Sequence, residues 1–136
     1  DTYGWGVGLS SADCSSYMRD VYHCFGLNLP RNTTWQAAMP TAKVKWEKDT
    51  PVEVKKAALN TFLPGTILIF SGHEMMYLGH IGDAYYVVSS VGSIRDFSSD
   101  TKLRVRGVVI NTLDVRRMSG HTWLDDIHTV VMPFAL

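Results

Sequence analysis

The chain has 136 residues, 46% hydrophobic and 19% charged, which is typical of one globular domain with an ordinary core. Thirteen basic and thirteen acidic residues cancel, so no net charge favours a phosphate backbone or an anionic membrane surface, and nucleic acid is not expected as a partner. No apolar run approaches the roughly 18 residues of a membrane span, and no signal peptide is visible.

The beginning of the chain is rich in glycine and serine. It opens at Asp1 without a methionine, so we expect 1–136 to be one domain taken from a longer, multi-domain chain. The glycine-rich residues 1–12 predict a flexible approach to the first helix rather than a strand.

Helical signals are confined to the first half. Apolar residues at helical spacing predict a helix over 13–25, with Ser11 or Asp13 as its cap and Gly26 at its end. A short second helix is predicted over 32–39. A third is predicted up to residue 59, after the apparent capping box Thr50-Pro51-Val52-Glu53.

The second half has the character of a sheet. Apolar and β-branched runs predict strands at 66–70, 75–78, 85–88, 105–110 and 128–132. The loop 79–84 is expected to join two of them in a hairpin. Helices followed by consecutive strands indicate an α+β fold with an antiparallel sheet.

Cys14 is the candidate nucleophile. It lies at the first turn of the predicted helix, where unpaired backbone amides and the helix dipole favour a thiolate. Cys24 follows ten residues later, about 15 Å along the same helix, which is beyond the reach of a disulfide. A small buried hydrophobic residue is the alternative interpretation of either cysteine, and we keep it for Cys24.

A nucleophilic cysteine needs a base, and the chain has five histidines. His23 is excluded because it lies about 180° around the helix and about 13 Å along it from Cys14. His73, which follows a glycine at the start of an apolar strand, is the candidate; its alternative is a structural histidine bonded to a backbone carbonyl. Solvated or structural roles suit the remaining three, which are His80, His121 and His128.

Two apparent ligand motifs are rejected. The segment His73-Glu74-Met75-Met76-Tyr77 approaches a zinc-protease pattern, but Tyr77 stands where the second histidine is required. The glycines of 4–8 lack the preceding strand and the Lys-Ser/Thr ending of a phosphate loop. We therefore expect no metal and no cofactor.

Five motifs together resemble the NlpC/P60 family of peptidases over nearly the whole chain. In order they are Tyr3-Gly4-Trp5-Gly6, Asp13-Cys14-Ser15-Ser16, Leu29-Pro30-Arg31-Asn32-Thr33, Pro64-Gly65-Thr66 and the segment from Gly72 to Gly79. The stretch 15–20 resembles the subgroup associated with bacterial SH3-like domains. The resemblance implies a papain-like fold in which N-terminal helices pack on an antiparallel sheet.

The same resemblance implies a wall-directed activity. Relatives hydrolyse the bond between D-γ-glutamate and the diamino acid of peptidoglycan stem peptides. By analogy, the Cys14 thiolate attacks the carbonyl, His73 transfers the proton, and water releases a thioester, while the Cys14 amide helps to hold the oxyanion. The expected partners are stem peptides and SH3-like domains, and the expected location is secreted, periplasmic or associated with the cell wall.

Four further positions match residues of relatives that border or contact substrate: Tyr3, Asp13, Ser15 and Thr33. For Asp13 and Thr33 the alternative is helix capping, which is compatible with substrate binding at a helix start.

Ser89 departs from the family pattern. It stands where relatives carry a histidine that orients the base, and a hydroxyl is shorter and uncharged. Asp83, Asp96 or a backbone carbonyl are the other candidates for that third catalytic position. The alternative function is therefore a catalytically weak or inactive relative that binds wall peptides, and a third interpretation keeps the catalytic site but acts on amides or esters outside the wall.

Overall fold

A computed structural model describes residues 7–8, 11–23, 42–95 and 102–133. In these ranges the chain order is β1 (Val7–Gly8), β2 (Ser11–Ala12), α1 (Cys14–His23), β3 (Ala42–Lys45), α2 (Val52–Leu59), β4 (Ile67–Phe70), β5 (His73–Ile81), β6 (Ala84–Arg95), β7 (Lys102–Thr112), α3 (Trp123–Asp126) and β8 (Thr129–Met132). No helix among them is long and apolar enough to cross a membrane.

Six strands form an antiparallel sheet in the order β3-β8-β4-β5-β6-β7, and β1 pairs with β2. Helices therefore pack on an antiparallel sheet, which confirms the predicted α+β class. The five predicted strands are all present, with longer bounds in β5, β6 and β7.

The sheet buries both of its faces, because side chains alternate along each strand. One face, the Trp123 face, carries Leu68 and Phe70 of β4 and is covered by Leu59 of α2 and Trp123 of α3. The other, the α1 face, carries the intervening residues of β4 and is covered by α1; its cluster comprises Met18, Tyr22, Ile67, Ile69 and Val131.

Two tight turns set the register of β5. Phe70 pairs with His73, so only Ser71 and Gly72 form the first turn, and Gly72 has a φ of 85°, which favours glycine. At the other end Ile81 pairs with Ala84. The predicted loop 79–84 is therefore wrong in length, since most of it continues the two strands.

Helix α1 is capped as predicted. It begins at Cys14, and Asp13 Oδ1 accepts a hydrogen bond of 2.9 Å from the Ser16 amide. The predicted end at Gly26, the helix over 32–39 and the buried role of Cys24 lie outside the described residues.

The capping box predicted at Thr50-Pro51-Val52-Glu53 is wrong. Helix α2 forms over the predicted residues, but its N-cap is Pro51 and no side chain caps it. A capping box lies instead before α3, where Thr122 Oγ1 accepts from the Asp125 amide at 3.1 Å and Asp125 Oδ2 accepts from the Thr122 amide at 2.9 Å. This short helix was not predicted.

Two further strand predictions need correction. Within the segment expected to be free of strands, Val7–Gly8 pairs with Ser11–Ala12. The strand Ala42–Lys45 was missed because it is short and half lysine; it pairs with β8 at the edge of the sheet, a position where lysine is common.

A buried lysine joins the two helices on the Trp123 face. Lys55 of α2 is 1% exposed, and its Nζ donates to the carbonyls of Leu124 at 3.0 Å, Asp125 at 2.8 Å and Ile127 at 2.9 Å. Its three N–H groups are thus all used, and they satisfy carbonyls at the end of α3 that have no intrahelical partner.

Candidate functional site

Cys14 is buried and is the first residue of α1. The Asp13 cap fixes the direction in which the chain enters this helix, and the Tyr17 amide donates to the Asp13 carbonyl at 3.0 Å. Unpaired amides at a helix start favour negative charge, so this position suits a thiolate.

His73 is the first residue of β5, directly after the two-residue turn. Its ring contacts Phe70 and Trp123, at centroid distances of 5.4 and 5.1 Å. Its Nε2 lies 3.1 Å from Oγ of the fully buried Ser89, at hydrogen-bond distance. In the tautomer whose Nε2–H donates to the Ser89 hydroxyl, Nδ1 is the ring nitrogen that can accept a proton.

The imidazole of His73 is neutral at physiological pH. Burial lowers its pKa from 6.5 to about 4, and the nearby charge of Arg117 acts in the same direction. A neutral ring can accept a proton, although a base with so low a pKa has little driving force to take one from a thiol.

Arg117 belongs to a small charged network beside this ring. Its guanidinium lies 4.6 Å from the centre of the Phe70 ring, and Nη1 donates to Asp126 Oδ2 at 2.8 Å. His121 Nδ1 is 3.1 Å from Asp126 Oδ1. Burial alone raises the pKa of Asp126, but the hydrogen bonds and charges of Arg117 and His121 outweigh it, so the pKa lies below its usual value.

Cys14 and His73 are associated with different faces of the sheet. His73 pairs with Phe70 and contacts Trp123, which places its ring on the Trp123 face. Helix α1, which begins at Cys14, packs through Met18 on the α1 face. The structure therefore brings together His73 and Ser89, two of the three residues assigned to catalysis.

Glu74 is the titratable residue of β5 that shares a face with α1. It pairs with Ile69, is fully buried, and neither carboxyl oxygen has a hydrogen-bond partner among the described residues. Burial raises its pKa to about 8, and the charge of Asp13 contributes. The pKa of Tyr22 is raised to about 12, mainly by burial and to a smaller extent by the charge of Glu74.

Glu74, Arg117 and Trp123 were not predicted from the sequence as parts of the site. Strand alternation was the available signal for Glu74, since neighbours in a strand point to opposite faces. No local pattern places Arg117 or Trp123 beside His73, because they lie more than 40 residues away in the chain.

The other predicted residues are placed as follows. Tyr3, Thr33 and Asp96, together with the side chain of Ser15, lie outside the described part of the structure. Asp83 is exposed in the turn after β5. Among the discounted histidines, His23 is exposed at the end of α1, and His80 Nδ1 lies 3.1 Å from the carbonyl oxygen of Gly82.

A cavity of about 670 Å³ lies beside the Arg117 network. Its lining includes Ser71 of the turn before His73, together with Trp46, Glu47, Lys48, Thr50, Arg117, His121, Asp125, Asp126, Ile127 and His128. Within the ranges that the structure describes, no group of three or more His, Cys, Asp or Glu could hold a metal ion.

A family model matches this chain, and a solved structure has a similar fold. The model of the NlpC/P60 family matches residues 1–131. The solved structure of a novel NlpC/P60 endopeptidase from Photobacterium damselae subsp. piscicida is similar, with a TM-score of 0.77 and 16% identity. The alignment covers 96% of this chain and 35% of that one, and at this identity the likeness shows the fold alone. No curated protein matches.

Proposed function

We propose, from the premise that the chain belongs to the NlpC/P60 family, that it is a cysteine peptidase of bacterial cell-wall peptides. The observation that carries the proposal is Cys14, which stands at the capped start of α1 in a chain matched by the family over 1–131. The bond proposed is that between D-γ-glutamate and the diamino acid of a stem peptide.

In the proposed reaction the Cys14 thiolate attacks the γ-glutamyl carbonyl carbon. The C–N bond to the diamino acid breaks, its amine leaves with a proton, and a thioester remains on Sγ. Water then hydrolyses the thioester, which restores the thiol and releases the glutamyl carboxylate. The Cys14 backbone N–H, at the helix start, supports the oxyanion.

His73 is proposed as the base through Nδ1, with Ser89 orienting the ring through Nε2. The hydrogen bond at 3.1 Å supports this role for Ser89. For catalysis, Nδ1 must come within hydrogen-bond reach of the thiol, at about 3 Å. Asp13, Ser15, Tyr3 and Thr33 are proposed to contact the substrate, and for Asp13 this role is compatible with its capping bond.

A second candidate function is binding of wall peptides without hydrolysis. It is favoured by the placement of His73 on the face opposite α1 and by Ser89, which offers no charge to stabilise an imidazolium. Either function places the substrate outside the cytoplasm, so we propose a secreted, periplasmic or wall-associated protein. SH3-like partner domains belong to the same proposal.

The test is incubation with wall-derived tetrapeptides and mass spectrometry of the products, for the unmodified chain, Cys14→Ala and, as the matched control, Cys24→Ala. Cleavage between glutamate and the diamino acid, lost only in Cys14→Ala, is the expected result. Equal peptide binding by all three chains without cleavage would instead establish the second candidate. Cleavage of amides or esters unrelated to the wall, with stem peptides left intact, would contradict both.

A further inference from the structure

Asp126 and Phe70 together hold the side chain of Arg117. Asp126 Oδ2 accepts a hydrogen bond of 2.8 Å from Arg117 Nη1, and the guanidinium carbon lies 4.6 Å from the centre of the Phe70 ring. A hydrogen bond between two ions is about twice as strong as a neutral one, and the ring adds a cation–π attraction. The Asp126 side chain is only 19% exposed, so water screens this pair less than it screens a surface pair. These contacts fix the position of the guanidinium charge.

Phe70 is also the ring against which His73 packs. The centres of the two rings are 5.4 Å apart. Together with the distance from Arg117 to Phe70, this places the guanidinium carbon at most about 10 Å from the imidazole centre, a separation at which charges still interact inside a protein. The position of Arg117 therefore affects the protonation of His73.

Three elements supply uncharged groups around the imidazole. They are the Phe70 ring on β4, the Ser89 hydroxyl on β6 and the Trp123 ring on α3. The charge that acts alongside burial is that of Arg117, in the segment between β7 and α3. Burial and this charge both lower the pKa of His73, since both disfavour the imidazolium.

Asp126 remains largely ionised over the range in which His73 gains its proton. Burial raises the pKa of Asp126, but the hydrogen bonds and charges of Arg117 and His121 outweigh burial, so the pKa lies below its usual value of 3.8. The pKa of His73, at about 4, is the higher of the two. The contact between Asp126 and Arg117 thus persists while the imidazole titrates.

We propose that Asp126 is a positioning residue for His73: by anchoring the Arg117 guanidinium, it fixes the positive charge that the buried imidazole faces. With the anchor in place, the imidazole stays unprotonated, and so able to act as a base, into acidic solution. Without it, the guanidinium turns to solvent, where water screens its charge, and the imidazole gains a proton at higher pH. The inference rests on the proposed function for the role of His73 as base, whereas the anchoring is a property of the fold.

The experiment follows the His73 imidazole by NMR through an acid titration of the full chain, with the resonance assigned from its absence in His73→Gln. Asp126→Ala removes the anchor, so the midpoint should rise by about half a unit to one unit. Loss of the carboxylate charge alone, with Arg117 still in place, would lower the midpoint instead. The direction of the change therefore separates anchoring from simple removal of a charge, and a midpoint at or below that of the parent would overturn the inference.

Asp126→Asn and a double variant complete the test. The amide oxygen in Asp126→Asn can still accept from Arg117, so the midpoint should not rise; this isosteric change keeps the test available if Asp126→Ala does not fold. In Arg117→Gln the midpoint should rise, and adding Asp126→Ala should raise it no further. A rise in Asp126→Asn equal to that in Asp126→Ala, or additive rises in the double variant, would also overturn the inference.

Asp114→Ala is the matched control, because Asp114 is an exposed carboxylate three residues before Arg117. It should leave the midpoint of His73 at the value of the parent. Where stem peptides are cleaved, the acid limb of kcat/KM should move with the midpoint in the Asp126 variants. The titration itself needs no cleavage, so failure of the peptidase proposal and failure of this inference are observed separately.

Discussion

His73 and Glu74 are consecutive in β5, and their side chains lie on opposite faces of the sheet. The imidazole is held neutral among aromatic rings, with a pKa of about 4. The carboxyl group is held neutral beneath α1, with a pKa of about 8. Burial is the main cause of both pKa shifts. It lowers the pKa of the imidazole and raises that of the carboxyl group, because it disfavours whichever form is charged.

The stability of the fold should decrease as pH rises, through Glu74. Its folded pKa of about 8 lies above the usual 4.5, so its stabilising contribution is complete below pH 4.5 and is lost as pH rises to about 8. The free energy of unfolding should fall by up to about 1.4 kcal/mol per pH unit in this window. Urea unfolding from pH 5 to 8.5 measures the slope, and Glu74→Gln should flatten it. An unchanged slope in that variant would show that other groups cause it.

Replacement of Arg117 should raise the pKa of His73. Arg117→Gln removes the second cause of the low pKa but not the first, which is burial, so the value should move from about 4 toward 6.5 without reaching it. Titration of the imidazole resonances by NMR measures the change. Arg116→Gln is the control, because Arg116 is exposed and its Nη1 donates to the Gly120 carbonyl. The same titration midpoint in both variants would contradict the assigned effect of Arg117.

Loss of the Ser89 hydroxyl should weaken catalysis if the peptidase proposal holds. Ser89→Ala removes the hydrogen bond to His73 Nε2. A neutral hydrogen bond contributes about 0.5–1.5 kcal/mol, which corresponds to a decrease in kcat/KM of about two- to tenfold. Steady-state cleavage of a stem peptide measures it, with Ser71→Ala in the exposed turn as the control. Full activity in Ser89→Ala would assign the orientation of the ring to its aromatic neighbours instead.

Removal of the Lys55 ammonium should destabilise the fold. Lys55→Met leaves the carbonyls of Leu124, Asp125 and Ile127 without their donor. We expect a loss of about 3 kcal/mol, since unsatisfied buried polar groups cost about 1–3 kcal/mol each and part of the cost is relieved by relaxation. Chemical unfolding measures it, and Lys56→Met, at the more exposed neighbouring position, should lose less than about 1 kcal/mol. An equal decrease in the free energy of unfolding in both variants would contradict the stabilising role assigned to the Lys55 ammonium.

The sequence predicted the elements that have a strong local pattern. The cap at Asp13, the strand that begins at His73 and the strands after it follow from spacing and composition. The strand at 42–45 and helix α3 were missed, the first because its residues are half lysine and the second because it has only four residues. Elements this short take their stability from the sheet and core around them, which no local window contains.

The candidate catalytic residues were predictable from the sequence, but their surroundings were not. Family resemblance pointed to His73 and Ser89, which lie together as a pair. The environment of each titratable group depends on long-range contacts, such as that between His73 and Trp123, and these set the pKa values. A linear motif indicates a candidate catalytic residue but not the face of the sheet on which its side chain lies.

The turn between β4 and β5 consists of Ser71 and Gly72 alone, and its brevity has a functional meaning of its own. In a hairpin this short the number of turn residues determines the register, and a slip of one residue turns every side chain of a strand to the other face. Such a slip in β5 would exchange His73 and Glu74, presenting the imidazole to α1 and the carboxyl group to Trp123. Across relatives, the length of this turn should therefore be as informative about catalysis as the identity of the base itself.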